Sequence, residues 1–369
     1  MEKIFSCKKC LMPSSRPRIT FDKNQICNGC KTNDEKKKVD WSVRKKEFLD
    51  ICNKYRSKDG NYDCIVPWSG GKDSSSIAYK LKYEFNMNPL LVTFSPLIPT
   101  KIGEENRIKL LQKGFDNVFF VPNQRTSRYL SKRFFIERGN PKTHWDAGIN
   151  SLPVKIAIEK KIKLIFYAEH GESEYGGKIL SNNSDKIRNL DEVLENQIGD
   201  DPSNWTDENI NLKDIECYKY PETEKIINLD IKAFYYSYFF YWDVYENYKY
   251  VKDKFNFKNN DKRITGTFQN YDSMDDKIDP LYYYMQLIKF GFGRSLRDAS
   301  RLLKNGHISF NEAKEYIQKY DHEFPDENLL EVLDFLNMSK IELNELIDKH
   351  RNKEIWIKNG NDYKLTFKK

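Results

Sequence analysis

Short apolar runs alternate with longer amphipathic segments through the first half of the chain. The apolar runs predict buried strands at 63–67, 90–94, 118–121 and 163–168. Apolar residues recur at helical spacing in the segments between them, at 77–85, 103–113, 128–135 and 154–161. Alternation of strands and helices is typical of a parallel sheet with helices on its faces, so we predict an α/β protein with a doubly wound sheet.

The pattern changes in the second half of the chain. Loop-like clusters of Asn, Asp, Ser and Pro interrupt residues 181–278, which we interpret as an insertion. Within it, residues 234–250 hold eleven aromatics in seventeen positions. We favour a buried or subunit-interface helix here, with stacking on bases or a nucleotide-sugar, or a membrane face, as alternatives. Further helices are predicted at 281–289, 296–304, 310–320, 328–335 and 339–351.

Four cysteines near the N-terminus form two CxxC pairs, Cys7/Cys10 and Cys27/Cys30, with sixteen residues between the pairs. This spacing matches a four-cysteine zinc site. Because all four ligands come from the protein, no coordination position stays open, and we expect a structural ion. An iron–sulfur cluster and four unrelated free cysteines are the alternatives. A short hairpin is predicted between the pairs, at 18–26.

A glycine turn joins the first predicted strand to the helix that follows it. The sequence from 68 to 76 reads WSGGKDSSS. A strand, a glycine turn and a helix start together bind phosphate well, because free amides converge there and the helix dipole adds positive potential. The GxxxxGK[ST] spacing of a Walker A loop is absent. The segment instead resembles the SGGxDS signature of the PP-loop ATP pyrophosphatases, which cleave ATP to AMP and pyrophosphate; an ordinary Gly-Gly turn before a capped helix is the alternative.

We therefore assign ATP binding to this phosphate loop and to the second strand. The residues are Pro67, Ser69, Gly70, Gly71, Lys72, Asp73, Ser74, Ser75 and Thr93. The two glycines let the backbone approach phosphate with no Cβ in the way. Lys72 supplies a cation, and Asp73 supplies either a helix N-cap or a magnesium ligand.

Two later segments are candidates for the same crevice, because ligands of such sheets bind beyond the carboxyl ends of the strands. The first, 169–177, follows the fourth predicted strand; a polar surface loop is the alternative for it. The second is a GFGR turn at 291–294, whose arginine can bind phosphate in a bidentate way, and a plain turn between helices is its alternative. We predict Gly171 and Gly291 for ATP, Glu172 and Arg294 for catalysis with Lys72 and Asp73, and Glu169, Glu174, Tyr175, Gly176 and Lys289 for the substrate.

The amino-acid composition excludes only a few classes of protein. Hydrophobic residues make up 39% of the 369 positions and aromatics 14%, which indicates a folded globular protein. The charge of +7 suits an anionic small molecule as well as RNA. Residues 1–7 carry no apolar signal region, and the apolar stretch 233–241 is too short to span a bilayer. We expect a cytoplasmic protein with reduced thiols and no membrane span.

Taken together, these segments resemble the N-acetyl sugar amidotransferase family of pseudaminic-acid, legionaminic-acid and O-antigen sugar pathways. The matching segments are Cys7/Cys10 with 12–13, then 19–22, 27–30, 69–75, 171–177 and 289–294. The sequence departs from the family at 297–299, which reads Arg-Asp-Ala where we expect a histidine after the aspartate, and at Ser173, where the family often has asparagine.

The resemblance implies a reaction that consumes ATP. The oxygen of an acetamido group on a sugar, free or nucleotide-linked, is adenylated, pyrophosphate leaves, and ammonia then displaces AMP to give an acetamidino group. Lys72 and a magnesium ion at Asp73 offset the developing charge. The implied cofactors are ATP, Mg²⁺ and Zn²⁺, and no general base is assigned.

The sequence contains no glutaminase signature. Its start at Met1-Glu2 offers no N-terminal cysteine, and Cys52, Cys64 and Cys217 lie in no nucleophile elbow. We therefore expect ammonia from a separate glutaminase subunit, and the family implies a cyclase-like channel subunit as well. A nucleic-acid partner is not expected.

We divide the chain into four regions: a zinc-binding ribbon at 1–35, a PP-loop domain at 36–180, an insertion or substrate region at 181–278 and a helical region at 279–369. Two other functions remain open. A PP-loop tRNA-thiolation enzyme also combines zinc knuckles with this loop, but it needs further cysteines near its site. A non-catalytic zinc-ribbon binding module is the third interpretation.

Overall fold

A computed structural model describes residues 4–178, 185–188, 193, 199–360 and 362–367. Five parallel strands form one sheet in the order β3-β2-β1-β4-β5. These strands are β1 Cys64–Pro67, β2 Pro89–Phe94, β3 Asp116–Phe120, β4 Leu164–Tyr167 and β5 Lys232–Tyr235. The predicted α/β class with a doubly wound parallel sheet is confirmed, together with the N-terminal cysteine cluster and the helical C-terminal part.

The strand order reverses direction at β1, which lies between β2 and β4. Cys64 is paired with Pro89 on one side of β1, and Ile65 is paired with Ile165 on the other. The helix that leads from β1 to β2 and the helices that lead from β3 to β4 accordingly pack on opposite faces of the sheet. The carboxyl ends of β1 and β4 meet at this switch point, where a ligand-binding crevice is expected.

Helices cover both faces of the sheet, as its parallel strands require. Ile65, Val92 and Ile165 pack on one face, in a core with the helices that follow β3. Val66, Leu91 and Phe166 are in a second core on the other face, with the helices on either side of β1. Alternate positions along β1, β2 and β4 thus enter different cores, so these central strands are buried on both sides, whereas the edge strand β3 leaves Asp116 and Phe119 exposed.

Most predicted helices are present with small shifts at their ends. In the first half of the chain the helices are Asn28–Lys36, Trp41–Tyr55, Lys72–Tyr83, Lys101–Leu111, Gln124–Arg138, Thr143–Lys160 and Gly171–Tyr175. In the second half the α-helices are Leu212–Ile215, Thr223–Asn228, Tyr236–Phe239, Val244–Phe255, Asp279–Phe290, Arg294–Lys304, Phe310–Tyr320, Leu329–Leu336 and Lys340–His350, and 3₁₀ turns lie at Pro202–Trp205 and Glu216–Tyr218. A hairpin that we did not predict, β6 Trp356–Asn359 with β7 Asp362–Leu365, follows the last helix.

The prediction of one helix over the aromatic segment 234–250 is wrong, although its burial is confirmed. The segment begins inside β5, continues through the short helix Tyr236–Phe239 and ends inside Val244–Phe255. Most of its buried aromatics pack in the core that contains Val66, and Tyr235 packs in the core on the other face of the sheet. Asp243 accepts hydrogen bonds from the amides of residues 245 and 246, so a new helix starts there. Aromatic residues favour strands as readily as buried helices, and the sequence did not separate the two.

The remaining regions pack on this sheet through their own apolar clusters. The cysteine ribbon shares a cluster with Phe292, Leu296 and Ala299 at the start of Arg294–Lys304. Within the described ranges, no helix has the length and apolar character needed to cross a bilayer. Part of the predicted insertion, 181–184, 189–192 and 194–198, lies outside the described residues. The predicted boundaries after 35, 180 and 278 stay a prediction.

Candidate active site

A cavity of about 280 Å³ lies at the switch point, beyond the carboxyl ends of β1 and β4; we call it the loop cavity. The phosphate loop lines it with Ser69, Gly70, Gly71, Lys72, Asp73 and Ser74, and the end of β4 contributes Ala168 and Glu169. The opposite wall comes from the C-terminal half of the chain, with Tyr271, Asp272, Ser273, Met274, Asp275, Tyr283, Arg297 and Arg301. The structure thus brings the loop and Glu169 together, as the position of the strands predicts.

The two loop glycines serve different purposes. Gly70 has φ +97°, and a Cβ there would lie 2.4 Å from Cγ of Arg107. Gly71 has φ −70°, and its Cβ would meet only Oγ of Ser69, at 3.2 Å. The backbone turn therefore requires glycine at Gly70, because L-residues rarely adopt that conformation. At Gly71 the absence of a side chain instead keeps the cavity wall open.

Three cations converge on Asp272 in the loop cavity. Nζ of Lys72 lies 2.5 Å from Oδ1 of Asp272, and the guanidinium groups of Arg297 and Arg301 lie 2.5 and 3.4 Å from Oδ2. Lys72 also lies 2.8 Å from a carboxylate oxygen of Asp73. Arg297 also lies 3.2 Å from Oδ1 of Asp298, so three cations and three carboxylates form one connected network at the mouth of the loop.

Burial and charge set the protonation of these groups. Burial opposes the charge on Lys72, but Asp272 and Asp73 outweigh it and hold the pKa of Lys72 above its usual value. Burial would raise the pKa of Asp272, yet the three cations hold it well below the ordinary range. Burial raises the pKa of Glu169, with a further contribution from Asp73, and it raises the pKa of Asp275 to about 7. Lys72 therefore stays charged, while burial disfavours the charged form of Glu169 and Asp275.

Replacing Asp272 with asparagine is expected to destabilise the fold by about 3–5 kcal/mol, because the buried Lys72 and the partly buried Arg297 and Arg301 then lose their shared counter-ion. Chemical denaturation measures this loss. The matched control is Asp348→Asn in the exposed pair with Arg351, for which we expect less than about 1 kcal/mol. Pyrophosphate should restore part of the stability of the Asp272 variant. Equal losses in the two variants would contradict the shared counter-ion.

Several predicted ligand residues lie near the loop cavity without lining it. Oγ of Ser75 accepts a hydrogen bond from Nε1 of Trp68 at 2.7 Å, and Oγ1 of Thr93 accepts one from Asn117 at 2.8 Å. Both side chains are buried beneath the loop, and Pro67 ends β1 there. These contacts support the loop from below, and a direct role in ATP binding for these residues stays a prediction.

The GFGR turn also lies behind the cavity wall. The buried guanidinium of Arg294 donates to the backbone oxygens of Asp272 and Ser273, so it holds the segment that faces the loop. Gly291 packs near the ring of Phe367, and Nζ of Lys289 donates to a backbone oxygen of helix Gln124–Arg138 at 2.6 Å. None of the three lines the loop cavity. Their predicted roles in catalysis, ATP binding and substrate binding remain predictions.

The segment 169–177 is mostly turned toward the cysteine ribbon. It contains the short helix Gly171–Tyr175. Tyr175 donates its hydroxyl to Glu169 at 2.9 Å, which ties it to the loop cavity. Glu172 lies 2.6 Å from Arg18 of the ribbon, and Glu174 pairs with Lys36. Of the three acids predicted for one crevice, only Glu169 lines the loop cavity.

The four cysteines form a compact cluster whose geometry fits zinc. Their sulfurs all lie within 4.8 Å of one another, with Cys7 to Cys30 at 3.8 Å and Cys10 to Cys27 at 3.5 Å. Four ligands of a tetrahedral ion with Zn–S bonds of about 2.3 Å lie roughly 3.8 Å apart. The cluster is buried, and amides of the ribbon point at two of the sulfurs. It can therefore hold a zinc ion.

The ribbon packs against the residues at the end of helix Gly171–Tyr175, close to the loop cavity. The predicted turn of its hairpin is present, with the amide of Asp22 donating to the oxygen of Ile26 at 3.1 Å. Gly29, between the cysteines of the second CxxC pair, lies in helix Asn28–Lys36. A Cβ at Gly29 would lie 2.8 Å from the amide nitrogen of Gly176. Glycine is needed there because two backbones come into contact.

Sequence reasoning missed most of the wall opposite the loop. Asp272, Asp275, Arg297 and Arg301 were not assigned to the site, although all four line the loop cavity. Arg297 and Arg301 are four residues apart in helix Arg294–Lys304, so they share one face of it. That spacing, directly after the GFGR turn, was the available indication. The acids of 272–275 lie in an irregular segment with no periodic pattern to mark them.

A similarity to a known protein family covers the wall of the loop cavity that lies opposite the phosphate loop. Residues 265–368 match the family model described as "LPS biosynthesis protein WbpG-like, C-terminal domain". The match supports a family of lipopolysaccharide sugar biosynthesis. The matched range contains Asp272, Arg297 and Arg301, so the half of the site that sequence reasoning missed lies within it.

A second similarity also covers only part of the molecule. "Uncharacterized protein MJ1599" of Methanocaldococcus jannaschii is 31% identical over 105 residues, which are 28% of this chain and 38% of that protein. The chain thus matches less than two thirds of this relative's length.

Proposed function

We propose that the protein is an ATP-dependent amidotransferase that forms AMP and converts the acetamido group of a sugar, free or nucleotide-linked, into an acetamidino group. It would act in the cytoplasm, in bacterial surface-polysaccharide or nonulosonic-acid sugar biosynthesis. The observation that carries this proposal is the loop cavity, where an SGGKDS loop faces Arg297 and Arg301 in a chain with a WbpG-like C-terminal domain. A helix start with Lys72, Arg297 and Arg301 beside it suits the β- and γ-phosphates of ATP.

The proposed chemistry balances in two steps. The acetamido oxygen attacks the α-phosphorus of ATP, the bond to the β-phosphate breaks, and pyrophosphate leaves. Ammonia then adds to the imidate carbon, the carbon–oxygen bond breaks, and AMP leaves with the former acetamido oxygen. Lys72, Arg297 and Arg301 stabilise the negative charge on the departing pyrophosphate. A magnesium ion held by Asp73 would neutralise phosphate charge, and Asn247 orients that carboxylate with a hydrogen bond of 3.0 Å.

The nitrogen that attacks must also lose a proton. Asp275 lines the loop cavity and has a pKa raised to about 7 by burial, so near neutral pH it is present in both protonation states. Glu169, on the same cavity, also has a raised pKa because of burial. A carboxyl with a pKa near the working pH is suited to accept such a proton.

The three cysteines outside the N-terminal cluster are poor candidates for a glutaminase nucleophile, which favours ammonia from another protein. Burial raises the pKa of Cys52 to about 12 and of Cys217 to about 11, and it raises the pKa of Cys64 well above the ordinary value. A glutaminase needs an activated thiolate, which is the opposite of these shifts. A separate glutaminase subunit, with a cyclase-like channel subunit, is the proposed supplier.

The purified chain is therefore expected to turn over with millimolar ammonium salts and to leave glutamine intact. Glutamate release, measured by an enzymatic assay, should stay at background with ATP and the sugar present. Cys52→Ser and Cys217→Ser should leave the ammonium-dependent rate unchanged. Glutamine hydrolysis that one of these variants abolishes would reveal a nucleophile in the chain.

The lining of the loop cavity disfavours tRNA thiolation. Among the described residues that line the loop cavity there is no cysteine to carry sulfur. The discriminating experiment incubates the protein with ATP, ammonium and either bulk tRNA or a panel of UDP- and CMP-linked acetamido sugars, and measures AMP. We expect AMP only with a member of the sugar panel. AMP formation that depends on tRNA, or no AMP with any acceptor, would contradict the proposal.

A further inference from the structure

A second cavity, of about 240 Å³, adjoins the loop cavity. Tyr283, Arg297 and Arg301 line both, so these three side chains form the wall between the cavities. Arg16 of the cysteine ribbon and Lys304 line only the second cavity. A molecule bound against Arg16 and Lys304 would therefore extend toward the phosphate loop across that wall.

The lining of the second cavity is cationic and aromatic. Its four charged residues are Arg16, Arg297, Arg301 and Lys304, and no acid is found among the described residues that line it. Its aromatic residues are Tyr175, Tyr282, Tyr283 and Phe292, and Gln286 and Ser300 add neutral hydrogen-bonding groups. Cations bind a phosphate, while aromatic faces and neutral donors bind the body of a sugar or a base.

Two of these cations have no carboxylate partner. Arg16 donates to the backbone oxygen of Gly176, and Nζ of Lys304 donates to the backbone oxygen of Glu174 at 2.7 Å. In the described part of the chain neither forms an ion pair. Nε of Arg301 is buried and has no hydrogen-bond partner among the described residues. Arg301 is paired with Asp272, whereas Arg16 and Lys304 are partly buried and have no ion pair with a described residue, so an anion bound in the second cavity would supply the one that they lack.

We propose that the second cavity binds the phosphate group of the sugar acceptor, and that the cysteine ribbon takes part directly through Arg16. The identity of the acceptor rests on the proposed function; the anion site rests on the cavity. With its phosphate at Arg16 and Lys304, the acceptor presents its acetamido group at the wall shared with the loop cavity. The ribbon thus forms part of a substrate site in addition to holding a metal ion.

The test is equilibrium binding by calorimetry, with α,β-methylene-ATP present to occupy the loop cavity. The probes are N-acetylglucosamine, its 1-phosphate, UDP-N-acetylglucosamine and N-acetylneuraminic acid. We expect at least one of the two phosphorylated probes to bind about tenfold or more tightly than the neutral sugar, the increment of one charge-assisted hydrogen bond. Arg16→Gln and Lys304→Gln should each remove most of this preference.

Lys9→Gln is the matched control, since it removes an exposed cation from the same ribbon, and it should bind like the wild type. Zinc content and the affinity for α,β-methylene-ATP should be unchanged in all variants, which separates a lost phosphate contact from an unfolded ribbon. If Arg16→Gln loses zinc, the phosphate preference measured for Lys304→Gln alone decides whether the second cavity binds the phosphate group. Equal binding of neutral and phosphorylated sugars, a preference for the carboxylate probe alone, no binding of any probe, or a preference that survives in Lys304→Gln would overturn the inference.

Failure of the two proposals can be distinguished. If phosphate preference depends on Arg16 and Lys304 but no acetamido sugar supports AMP formation, the anion site stands and the amidotransferase proposal falls. If AMP forms but the variants keep the wild-type KM for the acceptor, the amidotransferase proposal stands and the anion site falls.

Discussion

Replacing Lys72 with alanine is expected to slow AMP formation by about 10²–10³-fold, the loss found when one charge-stabilising donor is removed from a preorganised site. Lys72 lies at the start of the helix after the phosphate loop and is almost fully buried between Asp73 and Asp272. Its pKa is held above the usual value by these carboxylates, so it stays charged beside the proposed phosphate site. Steady-state AMP release with ATP, ammonium and the sugar measures the effect.

The matched control is Lys82→Ala, which removes a cation near the other end of the same helix. That variant should keep the wild-type rate, because Lys82 does not line the loop cavity. The loss in Lys72→Ala should appear mainly in kcat, since the charge develops as pyrophosphate leaves. A Lys72→Ala enzyme with a kcat within about threefold of the wild type would exclude the proposed role.

Replacing Cys27 with serine is expected to lower the zinc content from one ion per chain to nearly none and to unfold the ribbon. Structural zinc contributes on the order of 10 kcal/mol of binding free energy, and in a small ribbon this energy is folding energy. Hydrogen exchange should show lost protection at 4–36 and over helix Gly171–Tyr175. This helix depends on the ribbon, because Nδ2 of Asn28 donates to the oxygen of Gly177 at 2.7 Å and Gly29 packs on Gly176.

The parallel sheet should keep its protection in this variant, because its two cores do not include the ribbon. Cys217→Ser is the control, since Cys217 lies outside the cysteine cluster. Elemental analysis gives the zinc content of each protein. A wild type without zinc, or a Cys27→Ser protein with unchanged exchange at 4–36, would contradict a metal-dependent ribbon.

The parts of the molecule that sequence predicts well are those set by local pattern. The strands and the phosphate loop are recognisable because the apolar runs and the SGGKDS turn are contiguous in the sequence. The cysteine cluster is recognisable because two CxxC pairs at this spacing are typical of cysteines that bind one ion. β5 was not predicted, because its residues lie at the edge of an aromatic run that also suits a buried helix. The sequence alone does not show that this strand pairs with β4, which lies more than sixty residues earlier.

The half of the site contributed from the C-terminal region could not be predicted for a related reason. Asp272 and Lys72 are 200 residues apart, and their contact depends on how the helical region packs against the loop. Likewise, Glu172 and Glu174 looked like crevice residues because they follow a strand, but the docked ribbon provides cations that draw both away from the loop cavity. Long-range partners of this kind follow from tertiary packing and leave no periodic trace in the chain.

Isotope transfer tests the central claim most directly. A sugar substrate carrying ¹⁸O in its acetamido carbonyl is incubated with ATP, ammonium and the protein, and the nucleotide product is analysed by mass spectrometry. If the acetamido oxygen attacks the α-phosphorus, each AMP formed carries one ¹⁸O, pyrophosphate carries none, and the sugar gains an acetamidine nitrogen. AMP without the label, or ADP and labelled phosphate as the products, would contradict adenylation at the loop cavity and the amidotransferase function built on it.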